Sequence, residues 1–147
     1  MTALPPILTV GYEGRVADEL FDMLAAAGAT VLLDIRAVPL SRKPGFSKEL
    51  LAAGAEARGI SYIHLQPLGT PKPGRDAARA GRTAEMTRIY AEHMATEAAQ
   101  HALLAARGIV TSARSCLLCF ERDHTGCHRD ILAGMLAGMT GQAVEHL

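Results

Sequence analysis

Neither sign of charge is in excess, since fifteen lysines and arginines balance fifteen aspartates and glutamates over 147 residues. A zero net charge excludes a protein that grips long nucleic acid by bulk electrostatics, and leaves only a local basic patch for such a role. Cysteine is scarce, with three residues confined to positions 116–127. An odd count in one short stretch is not the disulfide framework of a secreted mini-protein. No apolar run approaches the roughly 18 residues of a membrane span. The opening Met1-Thr-Ala-Leu-Pro-Pro6 has neither the charged nor the apolar region of a signal peptide. Walker and dinucleotide-binding glycine fingerprints are missing, as are internal repeats and linkers. What is there, 49% hydrophobic and 20% charged residues, is too apolar for disorder. The expectation is a cytoplasmic protein whose residues 1–147 form a single α/β domain, large enough to bury one core without staples.

Short apolar runs alternate with longer amphipathic ones. Ile7–Gly11, Thr30–Ile35, Ile60–Leu65, Ser115–Glu121 and Ala143–Leu147 read as strands. Between the first two, Val16, Leu20, Phe21, Leu24 and Ala27 make a helical face that stops at Gly28. Ser47 caps a second helix ending at Gly59, Thr83–Ala106 reads as one long third helix, and Cys127–Met139 as a fourth. Residues 66–82 carry three prolines and three glycines, which we read as a long loop with no continuous helix. Its Lys72, Arg75, Arg79 and Arg82 face a single Asp76, so it is either a lid for an anion or a mobile surface loop. Five strands alternating with four helices predict a three-layer, doubly wound, mostly parallel α/β sheet. Ligands of such folds bind outside the carboxyl ends of the strands.

Polar residues gather at that predicted edge. Gly11, Tyr12 and Glu13 follow the first strand, while Asp34, Arg36, Ser41 and Arg42 follow the second. Cys119 and Glu121, two apart, end the fourth strand, and Cys127, His128 and Arg129 open the last helix. A thiol in a first helical turn feels the positive end of the dipole, and a neighbouring arginine favours the thiolate further. The same place offers free N–H groups and a bidentate arginine to an anion. Asp34 and Arg36 have an alternative reading as a pair that satisfies itself. Tyr62, Tyr90, His93 and His101 read as packing or surface residues.

No metal set is assigned. A structural zinc on Cys116, Cys119, Cys127 and His128 is disfavoured, because an odd separation turns Cys116 and Cys119 to opposite faces of a strand. A catalytic metal on Cys119, Glu121 and His128, and a redox pair of Cys119 with Cys127, remain as alternatives.

The order Thr9-Val-Gly-Tyr12, Asp34-Ile-Arg36, Pro39-Leu-Ser-Arg42, Phe46, Gly59-Ile-Ser-Tyr62, Leu68-Gly69, Cys119-Phe-Glu121, Cys127-His-Arg129 and Val144-Glu-His146 resembles the family catalogued as domain of unknown function 488. The resemblance implies a small three-layer α/β domain found mostly in bacteria and archaea. That family commonly has His-Ser after the first glycine where this chain has Tyr12-Glu13, which implies a difference in specificity if the position meets substrate. The family name assigns no reaction. From the residues, the expected function is hydrolysis or group transfer on a small anionic substrate, such as a nucleotide, a phosphorylated metabolite or a nucleic-acid end. Arg36, Arg42 and Arg129, with Gly11, Tyr12, Glu13 and Ser41, would hold the anion. Asp34 or Glu121 would act as acid or base, His128 would assist, and Cys127 or Cys119 would be the nucleophile. The alternatives are a ligand- or metal-sensing module without chemistry and a thiol redox protein. The cofactor and the oligomeric state stay unassigned, and no membrane partner is expected.

Overall fold

Valine, leucine and isoleucine in short runs favour strands buried on both faces. The computed structural model describes residues 3–147. In it β1 (Ile7–Gly11), β2 (Val31–Asp34), β3 (Ser61–His64), β4 (Ser115–Cys119) and β5 (Val144–His146) form one all-parallel sheet, ordered β3-β2-β4-β1-β5. Every residue of β1, β2 and β4 is buried, whereas the edge strands β3 and β5 are partly open to solvent.

Six helices complete the α/β fold: α1 (Ala17–Ala26), α2 (Lys48–Glu56), α3 (Lys72–Arg79), α4 (Thr83–Met94), α5 (Glu97–Ser112) and α6 (His128–Thr140). Leu20, Phe21 and Leu24 of α1 and Leu51 of α2 pack on Leu8, Val10, Leu32 and Leu118 on one face. Met86, Tyr90, Leu103 and Leu132 of the later helices pack on Ile7, Leu33 and Leu117 on the other. The strand order puts a topological switch at β4. The helices after its neighbours β1 and β2 go to one face of the sheet, and the helix after β4 goes to the opposite face. The chains therefore part at the carboxyl end of β4 and leave a crevice there.

Two sequence expectations are corrected. Residues 66–82 are not one loop: a single 3₁₀ turn at Gln66–Leu68 leads into α3. Pro73 sits at the second position of α3, where the missing N–H has no intrahelical acceptor to lose, so proline does not oppose the helix. Gly74 is needed there, because a Cβ would stand 2.2 Å from Thr70 Cγ2. Tyr90 and His93 of α4 pin the preceding turn by hydrogen bonds to Leu68 O at 2.8 Å and Pro67 O at 2.6 Å. Secondly, the helix expected over 83–106 is two helices. Thr96 caps α5 by accepting from Ala99 N at 3.3 Å, and α5 then runs past Gly108 to Ser112. Among the described residues no helix is long and apolar enough to cross a membrane.

Candidate functional site

β4 ends at Cys119, a 3₁₀ turn spans His124–Gly126, and Cys127 is the N-cap of α6. The Cys127 sulfur accepts from Arg129 N at 3.5 Å, as a capping oxygen would. Cys119 and Cys127 face each other with their sulfurs in contact and their Cα atoms 7.6 Å apart. The sulfurs are within bonding distance, so the structure holds the pair in its joined form, and any thiol chemistry at this edge belongs to the reduced pair. Glu121 Oε2 lies 3.6 Å from the Cys119 sulfur. Burial is the largest influence on Glu121 and holds its carboxyl above the usual range, with Arg129 opposing.

A cavity of about 420 Å³ opens at this point of the sheet edge. Cys119, Glu121, Cys127 and His128 line it from the β4–α6 connection, and Tyr12, Arg36 and Ser41 from the ends of β1 and β2. Thr70, Arg75 and Arg79 come from α3 and the segment before it. Arg75 is anchored by a 2.8 Å bond to Thr70 O, while the Arg79 side chain is 72% exposed with only a 4.0 Å contact to Asp76.

His128 is buried with Nε2 2.9 Å from Ile35 O. A carbonyl only accepts, so Nε2 carries the proton and Nδ1 keeps its lone pair. That lone pair lies 3.6 Å from the Cys127 sulfur. Burial lowers the His128 pKa to about 4, so the ring is neutral near pH 7 and Nδ1 is an acceptor for a hydrogen bond from the reduced Cys127 thiol.

Arg129 does not face the cavity. Its fully buried guanidinium donates to Thr9 Oγ1 (3.2 Å), the Cys119 sulfur (3.1 Å), Arg122 O (3.1 Å) and, closely, Glu121 O. None of the ion pairs among the described residues involves it. The charge of this buried cation is met by hydrogen-bond acceptors alone, the Cys119 sulfur among them. Burial also presses the guanidinium itself toward the neutral form.

Asp34 and Arg36 satisfy one another. Asp34 accepts from Arg36 Nε (2.9 Å), Nη2 (2.8 Å) and backbone N (3.1 Å), and from the Tyr62 hydroxyl (2.5 Å). Arg36 spends Nη1 on Phe46 O at 2.7 Å and Tyr12 Oη at 3.3 Å. The pair thus ties the ends of β2 and β3 to the loop at Phe46. Tyr62, expected as packing, instead completes this network; desolvation and Asp34 push its phenol up.

The remaining predicted residues divide. Tyr12 stacks on Phe46 with ring centroids 4.5 Å apart and lines the cavity, as does Ser41. Gly11 is roofed by the loop, since a Cβ would stand 1.8 Å from Glu121 O. Glu13 is exposed and accepts from Arg122 N at 3.1 Å, and Arg42 is exposed away from the cavity. Cys116 sits in the core on the α1–α2 side, where burial pushes its thiol up, so it is no partner for Cys119. The metal alternative also changes. The donors the fold gathers within 4.8 Å are Cys119, Glu121 and Cys127, and His128 is not among them. Thr70, Met86 and Phe120 line the cavity without having been singled out in the sequence. Only the cluster of basic residues pointed toward that segment.

The fold and this edge define a three-layer parallel α/β protein with a cysteine-lined crevice at its switch point. The family described as domain of unknown function DUF488 matches residues 16–136, and the chain belongs to it. The match includes both cavity cysteines and leaves β1, Tyr12 and β5 outside. No curated protein and no solved structure matches the chain.

Proposed function

We propose that this protein is a thiol-dependent hydrolase or group transferase acting on a small anionic substrate, with Cys127 as nucleophile. The observation that carries this reading is the Cys127 sulfur at the N-cap of α6, set against the unprotonated Nδ1 of His128. In the reduced pair the Cys127 sulfur attacks the electrophilic centre as its proton leaves along the hydrogen bond to His128 Nδ1 and on to water, since a ring titrating near 4 does not keep it. The leaving group departs with the substrate's bonding electron pair and takes a proton from Glu121, whose raised titration suits an acid. Water or an acceptor then cleaves the thiol adduct and returns the enzyme. Arg75 and Arg79 supply the positive charge that meets the anion, in place of Arg36 and Arg129, whose donors are already committed. Nucleotides, phosphorylated metabolites and nucleic-acid ends carry suitable anionic groups.

The apposition of Cys119 and Cys127 favours one second reading, a thiol redox protein whose two thiols cycle to a disulfide. The two are separated by a panel of phosphorylated metabolites and nucleotides assayed for product release. The proposal predicts turnover that Cys127→Ser abolishes and that acid quenching catches as a mass increment on Cys127. Equal turnover by Cys127→Ser would overturn it. Turnover found only with a thiol–disulfide partner would establish the redox reading.

A further inference from the structure

Outside the cavity, three side chains from three elements meet. His124 stands in the 3₁₀ turn, Asp130 in the first turn of α6 and His146 in β5. His124 Nδ1 is 3.1 Å and His146 Nε2 is 3.5 Å from the same oxygen, Asp130 Oδ1. The two imidazole rings lie parallel, their centroids 3.5 Å apart, and all three donor atoms fall within 4.8 Å of one another. None of these residues belongs to the cavity or to the proposed reaction.

We propose that His124, Asp130 and His146 form a binding site for a divalent transition-metal ion of the zinc class. Donors on one tetrahedral ion at bond lengths of about 2.0–2.1 Å stand roughly 3.4 Å apart, close to the two spacings to Asp130, and the stacked rings splay on binding as the half-exposed His124 turns its lone pair to the ion. Two imidazoles with one carboxylate suit zinc, cobalt or nickel, and are poor donors for magnesium or calcium. A ligating histidine normally has its second nitrogen held, and His146 Nδ1 is held at 2.6 Å by Thr9 Oγ1. Thr9 is itself fully buried and fixed by Arg129 Nε at 3.2 Å. The outer partner is therefore rigid before any ion arrives. His124 and Asp130 are partly exposed, which leaves an entry path and an open coordination position for water or an outside ligand. Through Thr9 and Arg129 the site is linked by hydrogen bonds to the Cys119 sulfur.

The test is titration of metal-free protein with cobalt(II), followed by competition with zinc(II). It is made on the Cys119→Ser/Cys127→Ser double variant, so that thiolate binding makes no contribution. One equivalent of cobalt is expected to bind with tetrahedral ligand-field absorption and no sulfur charge-transfer band. Affinity is expected to fall at least tenfold in His146→Ala and in His124→Ala. The second substitution is at a half-exposed turn residue outside β5, and an unchanged urea unfolding midpoint separates lost ligation from lost folding. No cobalt binding by the double variant, or affinity within a few-fold of the parent in His124→Ala, would overturn the proposal. Either result leaves the reading of the thiol cavity standing.

Discussion

Asp34 shows how far a single residue can be read from its neighbours in sequence. Its spacing from Arg36 puts both on one side of the chain as it leaves β2, which fits either a binding pair or a self-satisfied one. The structure has the second arrangement, because Tyr62 and the carbonyl of Phe46 arrive from distant segments to use the remaining donors and acceptors. Asp34→Asn leaves the Arg36 cation buried without its counter-charge. The expected cost is about 3–5 kcal/mol in urea unfolding, and a cost near zero would contradict the account. The same limit applies to Arg129. The sequence places it beside a thiol at a helix start, but only the fold reveals that its guanidinium turns inward to Thr9 and the loop carbonyls. Cys127 was the better legible residue: the sequence opens the last helix at it, and the structure makes it the N-cap, one position before the first helical residue.

At the scale of elements, strand positions were legible because alternating and continuous apolar runs have few other solutions. β1 has the expected limits, and β2, β3 and β4 lie inside theirs. Helix boundaries were less so. An apolar stripe continues in phase across Ala95–Thr96 and conceals the break, which a hydroxyl cap makes. Thr96→Ala should cost about 1 kcal/mol in thermal or chemical unfolding. α3 was hidden by its prolines and glycines, although Pro73 and Gly74 are what let its first turn close on Thr70. Gly74→Val should push α3 off that contact, destabilising by roughly 1–3 kcal/mol and disturbing Arg75 and Arg79 at the cavity. Arg79→Ala keeps the helix and removes only charge. Under the proposed function it should raise KM with little change in kcat, as expected for a group that binds substrate and transition state alike. An unchanged KM would remove α3 from the site.

For the whole molecule, the order of strands is what the sequence withheld. Parallel pairing of β4 between β1 and β2 joins segments more than eighty residues apart, and no local pattern encodes it. Once that order exists, the crevice at the end of β4 follows, and with it the apposition of Cys119, Glu121, Cys127 and His128. The His124–Asp130–His146 cluster depends on the same step, because it requires β5 to pair beside β1. Global stability should carry the imprint of buried His128. Its native pKa near 4 is below the ordinary value of 6.5, so the unfolded chain takes up more protons between those limits. Stability is therefore fully present above pH 6.5 and lost as pH falls toward 4, by roughly 3 kcal/mol. Urea unfolding at pH 7 and pH 4.5 should show the loss, and His128→Asn should flatten it. The central claim is that the fold builds an activated thiol, and its most direct measurement is the pH dependence of iodoacetamide alkylation, resolved by mass spectrometry into Cys119 and Cys127. The account predicts a midpoint for Cys127 clearly below the free thiol value of about 8.5. Midpoints at or above that value for both cysteines would contradict it.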